Sequence, residues 1–182
     1  MKKVLVLFVA VIMMAGFSSK VNAQTNTSAS ESTTVGAQLI VPMSISEDAP
    51  MHFGTIVLRS SAAGTVVLPS NSTTRSFTGS CEASTVNPQP TNAAYHVTGT
   101  MNETYALTLP TTITVTETVG GVATMNITNW TARFLGAAAD ALTSTLSANG
   151  TDSFTVGATL NVNASQIGGI YAGSFEVSVD YN

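Results

Sequence analysis

Short alternating runs, each closed by a turn signal, recur along this chain and leave little room for anything but β-structure. Tyr105, Leu107 and Leu109 alternate with Ala106 and Thr108. Ile113 and Val115 alternate with threonines, and Met125 and Ile127 alternate with Asn126 and Thr128. Tyr95 and Val97 share one face of "AAYHVTG". A period of two is the mark of a half-buried strand. Between the runs stand "NPQP" at 87–90, "LP" at 109–110, "GG" at 120–121, "NG" at 149–150 and "GG" at 168–169. About ten short strands at a spacing of roughly 8–12 residues predict an antiparallel sandwich with Greek-key connections. The expected fold class is all-β and immunoglobulin-like. "GAAADAL" at 136–142 is the only stretch that resembles a helical turn, and it reads as a loop.

The first residues stand apart from this pattern. Lys2 and Lys3 precede an apolar run from Val4 to Phe17, and a small, polar stretch ends in "VNA" at Ala23. This is the layout of a secretory signal peptide spanning residues 1–23. At 14 residues the apolar run is shorter than the roughly 20 that a membrane helix needs. Residues 24–34, "QTNTSASESTT", are polar and low in complexity, which predicts a flexible segment ahead of a single sandwich domain over 35–182. The expected location is the periplasm, the cell surface or the medium of a bacterium, with no membrane span left after the signal is removed.

Removing 23 of the 182 residues leaves 159, enough for one domain with a sizeable core. All three lysines fall in the removed part. The remainder sets Arg59, Arg75 and Arg133 against ten acidic residues, a net charge of −7. Such a balance offers no electrostatic footprint for nucleic acid. It offers none for anionic lipid either. Cys81 is the single cysteine, so no internal disulfide forms, and a buried apolar role is expected for it.

Catalytic chemistry is missing from the sequence. His52 and His96 are isolated, and neither has metal-ligand spacing with Cys81. "GTIVL" and "GATL" lack the strand–turn–helix setting of a nucleophile elbow or a phosphate loop. The acidic pair Glu47 and Asp48 lies just before Pro50 and reads as a solvated turn. The chain is therefore expected to be a non-enzyme without cofactor or metal. Trp130 in "ITNWTARF" reads as a core residue, and as a sugar-stacking contact under the alternative function of a carbohydrate-binding module.

Two segments carry the pattern of strands that pair with a partner. Val35, Ala37, Leu39 and Val41 alternate ahead of Pro42 and read either as a donor strand for another chain or as the domain's own first strand. At the other end, "GIYAGSFEVSVDYN" alternates from Gly169 to Asn182, placing Tyr171, Phe175, Val177, Val179 and Tyr181 on one inward face. An edge strand offers unpaired N–H and C=O groups to another strand.

The order of several stretches carries a family resemblance: "AQLIVPMSISEDAPMHFGTI", "AGTVVLPSNSTTRSFTG", "AAYHVTGTMNETYALTLP" and "LNVNASQIGGIYAGSFEVSVDYN". Over Val35 to Asn182 the chain resembles domain-of-unknown-function family 4402, a group of secreted bacterial β-domains. The ending is similar to that of chaperone–usher pilin subunits. Gly169 is the fourteenth residue from the end, Tyr181 is penultimate, and Phe175, Val177 and Val179 supply the alternation. The resemblance implies a cell-surface structural or adhesive protein, a fimbrial-type subunit assembled by strand addition. The partners it implies are a periplasmic chaperone and usher or like subunits; the carbohydrate alternative implies a surface glycan.

Overall fold

A computed structural model describes residues 28–182. The signal-peptide reading over 1–23 lies outside the described residues. Residues 28–38 carry no regular structure and are exposed. The compact unit is Leu39–Asn182, and it is all-β. Among the described residues no helix is long and apolar enough to cross a membrane.

Thirteen strands follow one another in the described chain: β1 (Ser44–Ala49), β2 (Ile56–Leu58), β3 (Gly64–Leu68), β4 (Ser76–Gly79), β5 (Cys81–Ala83), β6 (Ala93–Thr98), β7 (Thr104–Thr108), β8 (Ile113–Glu117), β9 (Thr124–Phe134), β10 (Thr143–Thr145), β11 (Thr151–Val162), β12 (Tyr171–Ala172) and β13 (Ser178–Tyr181). All the strand pairs are antiparallel. The main sheet runs β1-β6-β11-β9-β8-β12, with β3 and β4 joined to it through the second half of β11. A second sheet, β10-β7-β13, and a two-stranded ribbon, β2-β5, complete the fold. Neighbours in the sheets are rarely neighbours in sequence, so the connections cross over, as a sandwich requires.

Strand β11 is the axis of the molecule. Its first half lies between β6 and β9, and its second half between β3 and β9. Two core clusters follow from this division. The first joins Val97, Tyr105, Leu107, Phe134, Leu146, Phe154 and Val156. Its rings meet edge-on, with Tyr105 and Phe134 centroids 5.9 Å apart and those of Phe134 and Phe154 5.5 Å apart. The second joins Val66, Cys81, Val115, Met125, Ile127, Leu160 and Val162. Each fully buried aliphatic or aromatic side chain stabilises the fold by about 1.5–3 kcal/mol relative to its exposed state.

The structure departs from the sequence reading in three places. "DSFTVG" and "ATLNVN" read in the sequence as two separate runs, but they form one continuous strand, and Gly157 at their join lets another segment pass at backbone contact. A Cβ at Gly157 would overlap the amide nitrogen of Ser70 and the carbonyl of Leu68 and lie 2.5 Å from the carbonyl carbon of Pro69. In β9 the inward parity switches from Met125 and Ile127 to Ala132 and Phe134. A bulge is responsible: three steps from Thr128 to Thr131 face two steps from Gly157 to Thr159, and Asn129 takes a φ of 52°. The third departure is at the beginning. The first strand starts at Ser44, beyond Pro42, so Val35–Val41 is not the domain's first strand.

Candidate functional site

The alternation of the last segment runs unbroken in sequence, but its pairing does not. Tyr171 and Ala172 pair with Glu117 and Thr116 of β8, at one margin of the main sheet. The chain then leaves that sheet, and Ser178–Tyr181 pairs with Thr108–Tyr105 of β7, at the margin of the second sheet. Residues 173–177 belong to no ladder. Gly173 makes the crossing close to β8, where a Cβ would lie 2.9 Å from the Thr114 carbonyl. Phe175 anchors it midway, with its ring 4.5 Å from that of Trp130. Phe175, Val177, Val179 and Tyr181 pack against the first core cluster and Tyr171 against the second, all of them half-buried. One segment thus supplies the outer strand of both sheets, and among the described residues no strand pairs with its other flank.

Tyr181 ties this segment to the start of the domain. Its hydroxyl donates to the carbonyl of Val41 at 2.7 Å and accepts from the Thr100 amide at 2.6 Å. Gly99 makes the approach feasible, since a Cβ there would sit 2.5 Å from the same hydroxyl oxygen. The amide of Val41 in turn donates to Thr100 Oγ1 at 2.6 Å. Residue 41 is therefore fixed, while Val35, Leu39, Ile40 and Val41 keep their side chains exposed. Ala37 is exposed as well. Asn182 continues the pairing of β13 by donating its amide to the Thr104 carbonyl at 3.1 Å.

Gly169 has a local reason to be glycine. A Cβ there would fall 2.9 Å from Glu117 Cγ and 3.0 Å from its Oε1. Glu117 is 6% exposed. Its carboxylate closes the β8–β9 turn by accepting from the amides of Gly120, Val119 (3.0 Å) and Gly121 (3.3 Å). The Gly120 amide, then that of Val119, hold its pKa below the ordinary glutamate value against the opposing effect of burial, with Gly121 adding to them. The Thr118 amide donates to the Ile170 carbonyl at 2.8 Å, which seats the last segment against this turn.

The remaining candidates occupy structural positions. Trp130 bridges the two core clusters, and its indole nitrogen is buried with no hydrogen-bond partner in the protein. It lines a shallow cleft of about 450 Å³ with Leu107, Leu109, Pro110, Asn129 and Leu142. His52 Nδ1 accepts from the Gly54 amide at 2.7 Å. His96 Nδ1 lies 2.7 Å from Asp48 Oδ1, both exposed. Cys81 is buried and free, and burial pushes its thiol pKa up. Tyr105, fully buried, donates to Asp152 at 2.9 Å. Burial, then that carboxylate, raise the pKa of its phenol. Among the described residues no group of three or more His, Cys, Asp or Glu is placed to hold a metal ion.

Sequence reasoning missed the Tyr181–Val41–Thr100 junction and the Glu117 turn. The signal for the first was Gly99, a small residue at the end of an otherwise regular strand. For the second it was Glu117, which falls on the inward parity of β8.

No curated protein and no solved structure matches this chain significantly. The model of one family matches residues 43–181, from just ahead of β1 to the end of β13. On that match the chain belongs to the family described as Domain of unknown function (DUF4402).

Proposed function

We propose that the chain is an exported structural subunit of the bacterial surface that associates with other chains by β-strand addition. One observation carries the reading. The segment Tyr171–Tyr181 forms the outer strand of two sheets, while the exposed residues 35–41 of the same chain stand outside every sheet and carry apolar side chains two residues apart. An edge strand and a segment that lies outside every ladder and alternates apolar side chains are the two halves that a strand-addition contact requires. The acidic composition beyond residue 23, where no lysine occurs, together with the absence of a metal-holding cluster among the described residues, favours a structural over an enzymatic role. A periplasmic chaperone that holds the same edge before assembly is the partner of the same chemistry.

The test compares the chain from Gln24 with a chain from Met43 by light scattering coupled to size exclusion. The longer chain should form oligomers that the shorter does not, and a peptide of residues 24–42 should bind the shorter chain. A longer chain that stays monomeric at high concentration, with no peptide bound, refutes the proposal.

A further inference from the structure

Asparagine recurs in this chain in one short pattern. Seven asparagines beyond residue 23 stand two places before Ser or Thr, with no Pro between. Asn26 lies outside the described residues; the other six are Asn71, Asn102, Asn126, Asn129, Asn149 and Asn163. Ser and Thr fill 46 of the 159 residues in question, so only about three asparagines would stand that way by composition alone. Strand alternation explains part of the surplus, because it sets polar side chains two apart on an outer face. That accounts for Asn126 and Thr128 in β9. It does not account for Asn71, Asn102 and Asn149, which stand on turns.

Asn-x-Ser/Thr is the acceptor pattern for an N-linked sugar. Its chemistry asks for an exposed carboxamide nitrogen and an exposed hydroxyl that a transferase can engage together. The fold withholds one or the other at four of the six positions. The Asn126 carboxamide accepts from Thr114 Oγ1 at 3.1 Å, and Thr128 Oγ1 accepts from Asn161 at 3.0 Å. Asn163 spends its Nδ2 on the Thr124 carbonyl at 2.9 Å. Thr131, two places after Asn129, gives its hydroxyl to Asp140. Thr151, two places after Asn149, holds its hydroxyl 3.0 Å from that of Ser147.

Asn71 and Asn102 meet both demands. Asn71, Thr73, Asn102 and Thr104 are exposed, and none of these four side chains makes a hydrogen bond among the described residues. The backbone beneath Asn102 is nonetheless fixed, since its amide is shared between the carbonyls of Leu146 at 3.2 Å and Ser147 at 3.3 Å. Turn chemistry alone does not explain the pair. Asn102 takes a φ of 60°, a conformation that asparagine tolerates better than most residues, but Asn71 has no positive φ. Neither turn uses the threonine hydroxyl two places on.

We propose that Asn71 and Asn102 are glycan acceptor sites of the folded chain. The donor is a sugar activated as a glycosyl diphosphate. The Asn Nδ2 bonds to the anomeric carbon as the bond from that carbon to the diphosphate oxygen breaks. The diphosphate leaves with the electron pair, and the carboxamide gives one proton to a base of the transferase, with no change of oxidation state. The threonine hydroxyl two places on is a recognition group and takes no part in the bond. The proposal goes beyond strand addition and stands or falls apart from it.

Mass spectrometry decides it. The full chain is recovered from the cells that make it, its intact mass is measured, and its peptides are mapped by electron-transfer fragmentation, which keeps sugars in place. The expected chain is heavier than its polypeptide by the mass of sugar found on Asn71 and Asn102. Thr104→Val should remove the sugar from Asn102 alone, Thr104→Ser should keep it, and Thr73→Ala should remove it from Asn71 alone. These variants change exposed hydroxyls and leave both asparagines in place, so the fold is not at stake. An intact mass equal to that of the bare polypeptide would overturn the proposal and leave strand addition standing. Sugar on Asn126 or Asn163 as often as on Asn71 and Asn102 would overturn it, because the fold would then not select the sites. Survival of the sugar on Asn102 in Thr104→Val would overturn it as well.

Discussion

Replacing Tyr181 by phenylalanine removes one oxygen atom and leaves the ring in its packing site. That oxygen makes two hydrogen bonds, one to the exposed Val41 carbonyl and one, part-buried, from the Thr100 amide. A typical intramolecular hydrogen bond contributes about 0.5–1.5 kcal/mol net, and an amide left without an acceptor costs more than its partner carbonyl, which water can reach. The expected loss is about 1.5–2 kcal/mol. For a chain of this length, that lowers the melting temperature by about 4–7 °C. Urea unfolding of the chain from Gln24 should show a lower midpoint with an unchanged slope, because no surface exposure is altered in the unfolded state. Amide exchange at Thr100 should accelerate. A second arm of the experiment isolates the Val41 bond: in a chain that starts at Met43, Tyr181→Phe should cost about half as much. Equal costs in the two chains, with Thr100 still protected, would show that the hydroxyl does not fasten the start of the domain to its last strand.

Gly157→Ala should destabilise the fold by about 3 kcal/mol, the upper part of the range for overpacking, because the backbone of Leu68–Ser70 has no room to yield; calorimetry would read it, and a loss below about 1 kcal/mol would mean that the two segments separate easily. Glu117→Gln should flatten the acid limb of stability. The depressed pKa of Glu117 means that its contribution is fully present above about pH 4.3, the ordinary glutamate value, and drains as pH falls through the folded-state value; denaturant midpoints between about pH 5 and pH 3 would test it, and parallel profiles for the two proteins would refute it. Cys81 should resist a thiol reagent in the folded protein and react fully in denaturant, since it is buried and its pKa raised; rapid labelling of the native chain would show that the β2-β5 ribbon opens.

The strands that could be read from sequence are those whose alternation and ladder coincide. In β6, β7 and β8 each inward residue is set by its own parity, and the buried Val97, Tyr105, Leu107 and Val115 follow. Reading fails where a tertiary neighbour overrides the local pattern. Gly157 looks like punctuation but is a place where another backbone passes over a continuous strand. Asn129 looks like any polar strand residue, yet its left-handed conformation inserts a residue and turns Trp130 towards the core. The last segment fails in a subtler way. Its side chains alternate because both sheets cover the same interior, so the inward face of Tyr171, Phe175, Val177, Val179 and Tyr181 was legible. The change of pairing partner at Gly173 leaves no trace in that alternation. Contacts between residues far apart in sequence, such as Tyr181 with Val41, have no periodic signature at all.

The junction at Tyr181 has a mechanical consequence. A load that enters at residue 41 and leaves through the turn at 118–123 runs along β11 rather than across it, so the ladders beside it are strained in shear. Shear requires many main-chain bonds to yield together, whereas peeling breaks them one at a time. The hydroxyl of Tyr181 sits where such a load would first turn into peeling, at the root of β1, and passes part of it to β13 and through β7 into the second sheet. A single phenol thereby lets both sheets share a tension that the main sheet would otherwise bear alone.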